Sequence, residues 1–426
     1  MFALLKNRNY LLFWASQVIS QLGDGITRIA ITYLVATLSK DPLAIGFVIF
    51  AQLLPTAVFG IFLGPIADRY SRKWLMIGSD LYRMVIVLFM IGYHDSVPVL
   101  IGLIVLQGFG SAIFEPARSA SIPEIVGENN IHNAISLSQG TRAAMDLIGP
   151  SIGALLLLLN NYNVIFLLDA FTFLVSALLL VGLNLINSSS RGSQTVQESY
   201  LSSITSGIKQ VVKMPALRFL LLLLIPVTLV VGILNTNLVA VLTNVFEVSA
   251  SQFGLLEASF AIGALVGSLG VGPLFLKKFR PSSLLISGTV AIGAWMIVIL
   301  FVNDMRLTFG IAPVFVWCII VGILNTLINV PLSSLFLGAT PAPFRGRGSS
   351  LLGATANSCQ MIGILGGGMI AKSIGVLNGT ALSGALLILV VIIYPFLKGY
   401  KELNSIKPPT KDNDLSTPRK VEIAVD

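Results

Sequence analysis

The chain has 426 residues, of which 55% are hydrophobic and only 11% are charged, and its formal net charge is +8. Soluble domains carry about 25% charged residues, so this composition excludes an ordinary soluble enzyme, a disordered chain and a disulfide-rich secreted scaffold. It is typical of a protein that crosses a membrane many times.

Apolar runs of about 20 residues, the length at which a helix crosses a bilayer, follow one another along the chain. Those of the first half cover residues 10–36, 43–64, 74–93, 97–115, 134–159 and 163–186. Those of the second half cover residues 216–242, 251–275, 282–302, 308–337, 350–375 and 380–398. We therefore expect an all-α membrane protein with twelve transmembrane helices.

Basic residues gather at alternate ends of these runs. On one side they are Arg69, Arg72, Lys73, Arg118, Lys209, Lys213, Lys277, Lys278, Arg280, Arg345 and Arg347. The opposite side has little beyond Lys40, Arg306 and Lys372. Because Lys and Arg are enriched in cytoplasmic loops, we expect a multi-pass protein of a bacterial-type cytoplasmic membrane, with both termini in the cytoplasm. The same bias explains the net charge without a nucleic-acid partner.

The first and fifth runs carry charges near their middle. Asp24 precedes Arg28 by four residues, and Arg142 precedes Asp146 by four, a spacing that puts each pair on one helix face. Gln17 and Gln21 extend the first of these faces. A charge in the bilayer costs about 2.5–3.5 kcal/mol, so these side chains should face a cavity or a partner. They either bind a proton or substrate, or form static salt bridges that join helices one and five.

The composition changes between the two sets of runs. We expect a six-helix half over residues 1–186, a linker over 187–214 that ends in a short amphipathic helix, a second half over 215–400, and a disordered cytoplasmic tail over 401–426. Residues 64–72 and 272–280 both begin with Gly-Pro, continue with an aliphatic residue and end in basic residues. Both copies lie on the cytoplasmic side, which indicates a parallel repeat with a midplane site between the halves.

Residues 64–73, GPIADRYSRK, resemble the cytoplasmic signature of the major facilitator superfamily between its second and third helices, with Ser71 in place of a glycine. The resemblance implies the major facilitator fold and a network that latches one half against the start of the eleventh helix, near Ser349 and Ser350. The residues to which it assigns this gating role are Gly64, Asp68, Arg69, Arg72, Lys73, Asp80 and Arg83. The alternative is a basic loop that only sets the topology.

Other segments resemble the drug-efflux members of this superfamily. Gly149-Pro150-Ser151-Ile152-Gly153 resembles their antiporter motif, and residues 107–112 resemble the end of their fourth-helix motif, with Ile104 in place of an arginine that relatives use in proton coupling. Residues 20–24 and 114–118 resemble the macrolide-efflux and enterobactin-exporter branch. We expect helices five and eight to bend and to pack together at Gly149-Pro150 and at a small-residue face formed by Gly263 and Gly267.

Further polar residues lie within the runs. Asp169 and Glu257 are candidate proton sites, with local hydrogen bonding as the alternative. By resemblance, helices one, four, seven and ten line the cavity; we expect Gln107, Asn235, Asn325, Asn329 and Asn357 to line it, unless they only join helices.

These residues lead to one hypothesis and two alternatives. The hypothesis is a monomeric secondary transporter that exports an amphipathic small molecule, such as a macrolide-like drug or a siderophore, in exchange for protons by alternating access. The alternatives are an uptake carrier or uniporter for a small metabolite, and a membrane sensor that transports nothing. We expect no enzyme, metal or cofactor, because the sequence contains no HExxH motif, no phosphate-binding loop and no nucleophile–base set.

Overall fold

The computed structural model describes residues 2–127, 130–184, 215–340, 345–396 and 400, and across these ranges the chain forms helices and no strand. The helices of the first half are α1 (Arg8–Leu38), α2 (Pro42–Arg69), α3 (Arg72–Tyr93), α4 (Val97–Val126), α5 (Ile131–Leu156) and α6 (Tyr162–Val181). Those of the second half are α7 (Pro215–Ala240), α8 (Ala250–Val266), α9 (Gly272–Lys278), α10 (Pro281–Ile297), α11 (Ile299–Phe309), α12 (Ala312–Ala339), α13 (Arg345–Ile374) and α14 (Val376–Ile393).

The helices confirm an all-α membrane protein. In the described ranges, 9 helical segments are long and apolar enough to cross a membrane, and α10 with α11 adds a tenth if this pair, bent by 47°, is one span. Helices α1 and α13 have 31 and 30 residues and are also long enough, but they carry more polar side chains. With these two the count agrees approximately with the twelve expected spans.

The second half repeats the packing of the first. Helix α1 packs against α5 and α6, α2 packs against α4, and α3 packs against α4 and α6. In the same order, α7 packs against α13 and α14, α8 packs against α12, and α10 packs against α12 and α14. Helices α8 and α9 are joined by a π-helical turn at Gly267–Val271 and together form the eighth span. The predicted parallel repeat is therefore present in the helix contacts.

The two halves meet chiefly through two helix pairs, α2 with α13 and α5 with α8, and α7 makes smaller contacts with α1 and α2. A Cβ atom placed on Gly46 of α2 would lie 3.1 Å from the carbonyl oxygen of Ile364, and one on Gly254 of α8 would lie 2.2 Å from that of Ala154. Both pairs therefore bring backbone against backbone. In the repeat, α2 corresponds to α8 and α5 corresponds to α13, so the two pairs are equivalent, as expected for two copies of one six-helix unit.

Polar contacts between the halves gather where α1 ends and α2 begins, which we call the Asp41 end of the bundle. The Lys372 ammonium lies 2.8 Å from a carboxylate oxygen of Asp41. Asn244 donates to the carbonyl of Lys40 (2.8 Å), and the Tyr33 hydroxyl donates to the carbonyl of Val248 (3.3 Å). The hydrogen bond from Lys372, together with one from the backbone N–H of Leu43, holds the pKa of Asp41 below its usual value.

Helices five and eight pack together as expected, but they do so at Gly254 and Ala154 and not at the predicted glycines. Gly149 lies against Gly25 of α1, where its Cβ would be 2.9 Å from the Gly25 Cα, and Gly153 lies against Ile26. The Gly263 and Gly267 positions face α12 instead. Helical spacing indicates which residues share a face, but it does not identify the helix that the face contacts.

Several predicted features lie outside the described residues. These are the linker at 187–214 with its amphipathic helix, the tail at 401–426, the surroundings of Gly64, and the side chains of Asp68, Arg69, Ser349 and Ser350.

Candidate functional site

A cavity of about 240 Å³ lies within the first half of the bundle. Its walls come from α1 to α5. The charged and amide-bearing residues of its lining are Gln17, Gln21, Asp24, Arg28, Gln52, Arg83, Gln107, Glu115, Arg142 and Asp146. So many charges on helices that are otherwise apolar indicate a water-accessible site and not a lipid-facing surface.

The polar face of α1 forms one wall of this cavity. Gln17, Gln21, Asp24 and Arg28 follow one another at spacings of three and four residues, and all four line the cavity. Gln107 of α4 donates to a carboxylate oxygen of Asp24 at 3.4 Å. The structure thus brings α1 and α4 together through residues that the sequence marked as polar.

The charged residues on the faces of α1 and α5 all line the cavity, and they pair with residues of other helices and not with the residue four positions away. Arg28 lies 3.5 Å from Asp146, which joins α1 to α5, and both side chains are about half exposed. Asp24 pairs with Arg83 of α3 at 3.2 Å. Arg142 pairs with Glu115 of α4 at 3.3 Å. Salt bridges between helices one and five were one alternative, and the Arg28–Asp146 pair fits that description.

Arg83 holds the centre of the first half. Its guanidinium group is 3% exposed; it pairs with Asp24 and with the fully buried Asp80, and it donates to the Ser20 hydroxyl at 3.4 Å. The group also lies between the rings of Phe114 and Phe173, 4.9 Å and 4.4 Å from their centroids. A buried cation is stable only with such partners. The resemblance assigns Asp80 and Arg83 to the gating network, and in the structure the two residues pair and Arg83 lines the cavity.

Two glycines of the fourth-helix motif make room for this arrangement. A Cβ on Gly110 would lie 2.6 Å from the Arg83 Cγ, and a Cβ on Gly108 would lie 2.5 Å from Pro55 of α2. Side chains at these positions would push α3 and α2 away from α4. The motif therefore has a packing role that its letters alone did not reveal.

Glu115 and Arg118 form a second charged cluster that the sequence analysis did not assign to the site. Arg118 binds Glu115 at 2.8 Å and donates to Ser138 at 2.8 Å and to Gln17 at 3.2 Å. Glu115 therefore lies between two arginines, Arg118 and Arg142. An acid and a base three residues apart, at the end of the apolar run at 97–115, were the signal that could have identified this cluster.

The other predicted site residues lie elsewhere. Asp169 is buried between α6 and α1, Glu257 of α8 is partly buried, and neither lines the cavity. The second-half asparagines expected at the cavity also lie away from its lining; they are Asn235, Asn325, Asn329 and Asn357. Asn329 of α12 donates to Asn325, one turn earlier.

The basic residues of the loop signature bind helix ends within the first half. Arg72 donates to the carbonyl of Ala120 at 2.8 Å and pairs with Glu124 at 3.4 Å. The Lys73 ammonium donates to the carbonyls of Val181 and Leu183, each at 2.7 Å, and so caps the end of α6. Both contacts fix the start of α3 against its neighbours.

Comparisons with known proteins agree with this architecture. The model of the family described as "transmembrane secretion effector" matches residues 1–419. Macrolide efflux protein A of Streptococcus pyogenes is 25% identical over 395 residues, 92% of this chain and 96% of the relative. Multidrug efflux pump Tap of Mycolicibacterium fortuitum is 27% identical over 407 residues, 91% and 95% of the two chains.

A solved structure shares the fold. The crystal structure of a D-xylose–proton symporter superposes with a TM-score of 0.70 over 92% of this chain and 98% of that chain, at 13% identity. A cavity lined by charged residues, two repeated six-helix units and a family match over nearly the whole length agree with one another. The chain is a multi-pass transporter of small molecules and not an enzyme, and it belongs to the transmembrane secretion effector family of the major facilitator superfamily.

Proposed function

We propose that this transporter exports amphipathic small molecules from the cytoplasm by alternating access, as a monomer driven by protons. The observation that carries the proposal is the charged cavity of the first half, combined with contacts between the halves at the Asp41 end. The names of the relatives, macrolide efflux and multidrug efflux, support the export direction and the substrate class.

Charge distribution supports an orientation with the Asp41 end outside the cell. Lys40, Arg306 and Lys372 belong to that end, whereas Arg72, Lys73, Lys278 and Arg280 belong to the other. The positive-inside rule assigns the more basic end to the cytoplasm. Contacts that join the halves at the outer end correspond to a state that receives its substrate from the cytoplasm, which is the loading state of an exporter.

The chemistry of the cavity supports an amphipathic substrate. Arg28 and Asp146 are half exposed and 3.5 Å apart, so a polar group of the substrate could replace either partner at modest cost. Leu53 and Ile31 supply apolar surface beside them. A charged or polar group on an apolar body fits this lining better than a sugar or an inorganic ion.

Candidate groups for proton coupling are Asp24, Asp146, Asp169 and Glu257. Asp24 and Asp146 line the cavity and each pairs with an arginine, so protonation would release that arginine for the substrate. Proton binding and substrate binding would then affect the same two pairs. This competition is the usual basis of exchange transport.

The test measures retention of antibiotics, dyes and siderophores by mass spectrometry in an efflux-deficient bacterial host. Cells with wild type, Asp24→Asn or Asp146→Asn are compared with and without a protonophore, and Asp95→Asn, whose side chain is 90% exposed, is the matched control. We expect lower retention of one compound class with wild type and the control, abolished by the protonophore. Higher retention with wild type would indicate uptake, and retention unaffected by the protonophore would indicate a uniporter.

A cross-link distinguishes a transporter from a sensor. Cysteines in place of Asp41 and Lys372, which are in contact, can be joined to hold the two halves together at this end. We expect the oxidised double variant to lose export and to regain it on reduction. A phenotype that persists in the oxidised form would contradict alternating access.

A further inference from the structure

Asp169 of α6 is a buried carboxyl group without a cation of its own. The residue is 0% exposed, and one carboxylate oxygen accepts a long hydrogen bond of 3.4 Å from Thr172, one turn later. The other oxygen faces the Thr27 hydroxyl of α1 but forms no hydrogen bond of good geometry with it. No ion pair within the described ranges includes it. An ionised carboxylate in this position would be poorly compensated.

Gly23 explains how this carboxyl group comes to lie against α1. A Cβ atom at residue 23 would lie 2.4 Å from a carboxylate oxygen of Asp169 and 2.1 Å from the Thr172 hydroxyl. The Thr27 hydroxyl, one turn further along α1, is buried beside the same carboxyl group and has no hydrogen bond of good geometry. A protonated Asp169 would supply a donor in this pocket, which a carboxylate cannot do.

The charges of the neighbouring helices argue against a second negative charge here. Helices α1 and α3, which pack on α6, contribute Asp24, Asp80 and Arg83 to this region. The Arg83 guanidinium group already pairs with two carboxylates, those of Asp24 and Asp80. If both are ionised, this cluster has a net negative charge even before Asp169 is included. Because an unpaired buried charge is costly, the balance favours a proton on one of the three acids. Asp80 accepts a short hydrogen bond from Ser176 at 2.6 Å and Asp24 is partly exposed, whereas Asp169 is fully buried and accepts a longer hydrogen bond from Thr172 at 3.4 Å.

We propose that Asp169 holds the coupling proton of this transporter, hidden behind α1, and exchanges it with Asp24 at the cavity. In this step an O–H bond on Asp169 breaks and one forms on the Asp24 carboxylate, and Asp24 then releases the proton to water in the cavity. The negative charge left on Asp169 attracts Arg83 and weakens its pair with Asp24. The role in coupling rests on the proposed function, but the protonation of Asp169 does not.

Infrared spectroscopy tests the protonation directly. The full-length protein, reconstituted in lipid nanodiscs at neutral pH, is labelled with ¹³C at the aspartate carboxyl carbons. We expect a protonated-carboxyl band that shifts with the label in wild type and in the exposed control Asp95→Asn, and that is lost in Asp169→Asn. If Asp169→Asn does not fold, Asp169→Glu serves instead, since its band would no longer shift with the label. A wild-type protein without the band, or an Asp169→Asn protein that keeps it, would overturn the proposal.

A transport measurement tests the coupling. In vesicles with a substrate found by the retention assay, Asp169→Asn should lose proton-driven accumulation but keep the exchange of labelled for unlabelled substrate. Proton-driven accumulation that survives in this variant would contradict the coupling role. If wild type moves no compound, the proposed function fails, and the infrared result still decides where the proton lies.

Discussion

Removal of the Arg83 charge gives the sharpest test of the central cluster. Arg83→Met keeps an apolar side chain of similar length between Phe114 and Phe173, but it leaves the fully buried Asp80 without its cation. Loss of one partner from a buried pair costs about 3–5 kcal/mol in the free energy of unfolding. The loss of the cation beside Asp24 adds less to this cost, because the Asp24 side chain is 35% exposed and water can solvate it.

The double variant Arg83→Met with Asp80→Asn removes both charges. An asparagine in this position can still accept the hydrogen bond from Ser176. Since replacement of a whole buried pair by neutral groups is often close to neutral, we expect the double variant to recover most of the lost stability. The strength of the rescue measures how far the cost of the single variant comes from an isolated carboxylate.

The assay is denaturant or thermal unfolding of purified protein in one detergent, with Asp95→Asn as the surface control. The single variant should unfold well before wild type, and the double variant should unfold close to it. Equal instability of the single and double variants would refute the reasoning, because the cost would then come from lost packing and not from an unpaired charge.

Other predictions concern the contacts between and within the halves. Lys372→Ala should weaken the closed Asp41 end by about 0.2–1 kcal/mol, because the pair is partly exposed; cysteine labelling at that end should rise slightly, and unchanged labelling would mean that the pair contributes nothing. The hydrogen bond from Lys372 lowers the pKa of Asp41 in the closed state. The contribution of this ion pair to closure is therefore complete above the ordinary carboxyl pKa of about 3.9, and it is lost as the pH falls through the lowered pKa. Cysteine labelling of wild type should then be constant from neutral to mildly acidic pH. Gly254→Val should force α8 away from α5 and favour opening at the Asp41 end, seen as a large rise in labelling without loss of stability, and a drop in melting temperature alone would contradict this. Gly263→Val, which meets α12 within one half, should instead lower the melting temperature and leave labelling unchanged.

Most of the fold could be predicted from the sequence, because span length and loop charge are local properties. The run at 10–36 became α1 at Arg8–Leu38, and the run at 308–337 became α12 at Ala312–Ala339. The ninth span is less regular than expected, since it breaks between Ile297 and Ile299. No proline or polar cluster in the run at 282–302 indicates that break.

The site was harder to predict than the fold. The charged face of α1 was recognised, because the spacing of Asp24 and Arg28 defines a face. Arg83, the partner of Asp24, and Glu115, the partner of Arg142, were not recognised, because they reach the cavity from other helices and distance along the chain does not show which helices are neighbours. The glycines misled for the same reason: Gly149 was assigned to α8 but packs on α1.

The bare backbone contacts between the halves bear on how fast this protein can change shape. Gly46 of α2 and Gly368 of α13 let these two helices approach closely, and a Cβ on Gly368 would lie only 2.9 Å from the Leu43 Cα. Interlocked side chains would have to lift out of each other before two helices could slide, and each such step would be a barrier. Where two helices meet through glycine backbone, there are no such side chains to separate, and the barrier to sliding is lower. The rate of opening should then depend on the ion pair and the hydrogen bonds that join the halves at the Asp41 end. A substitution of one of these residues should therefore change that rate.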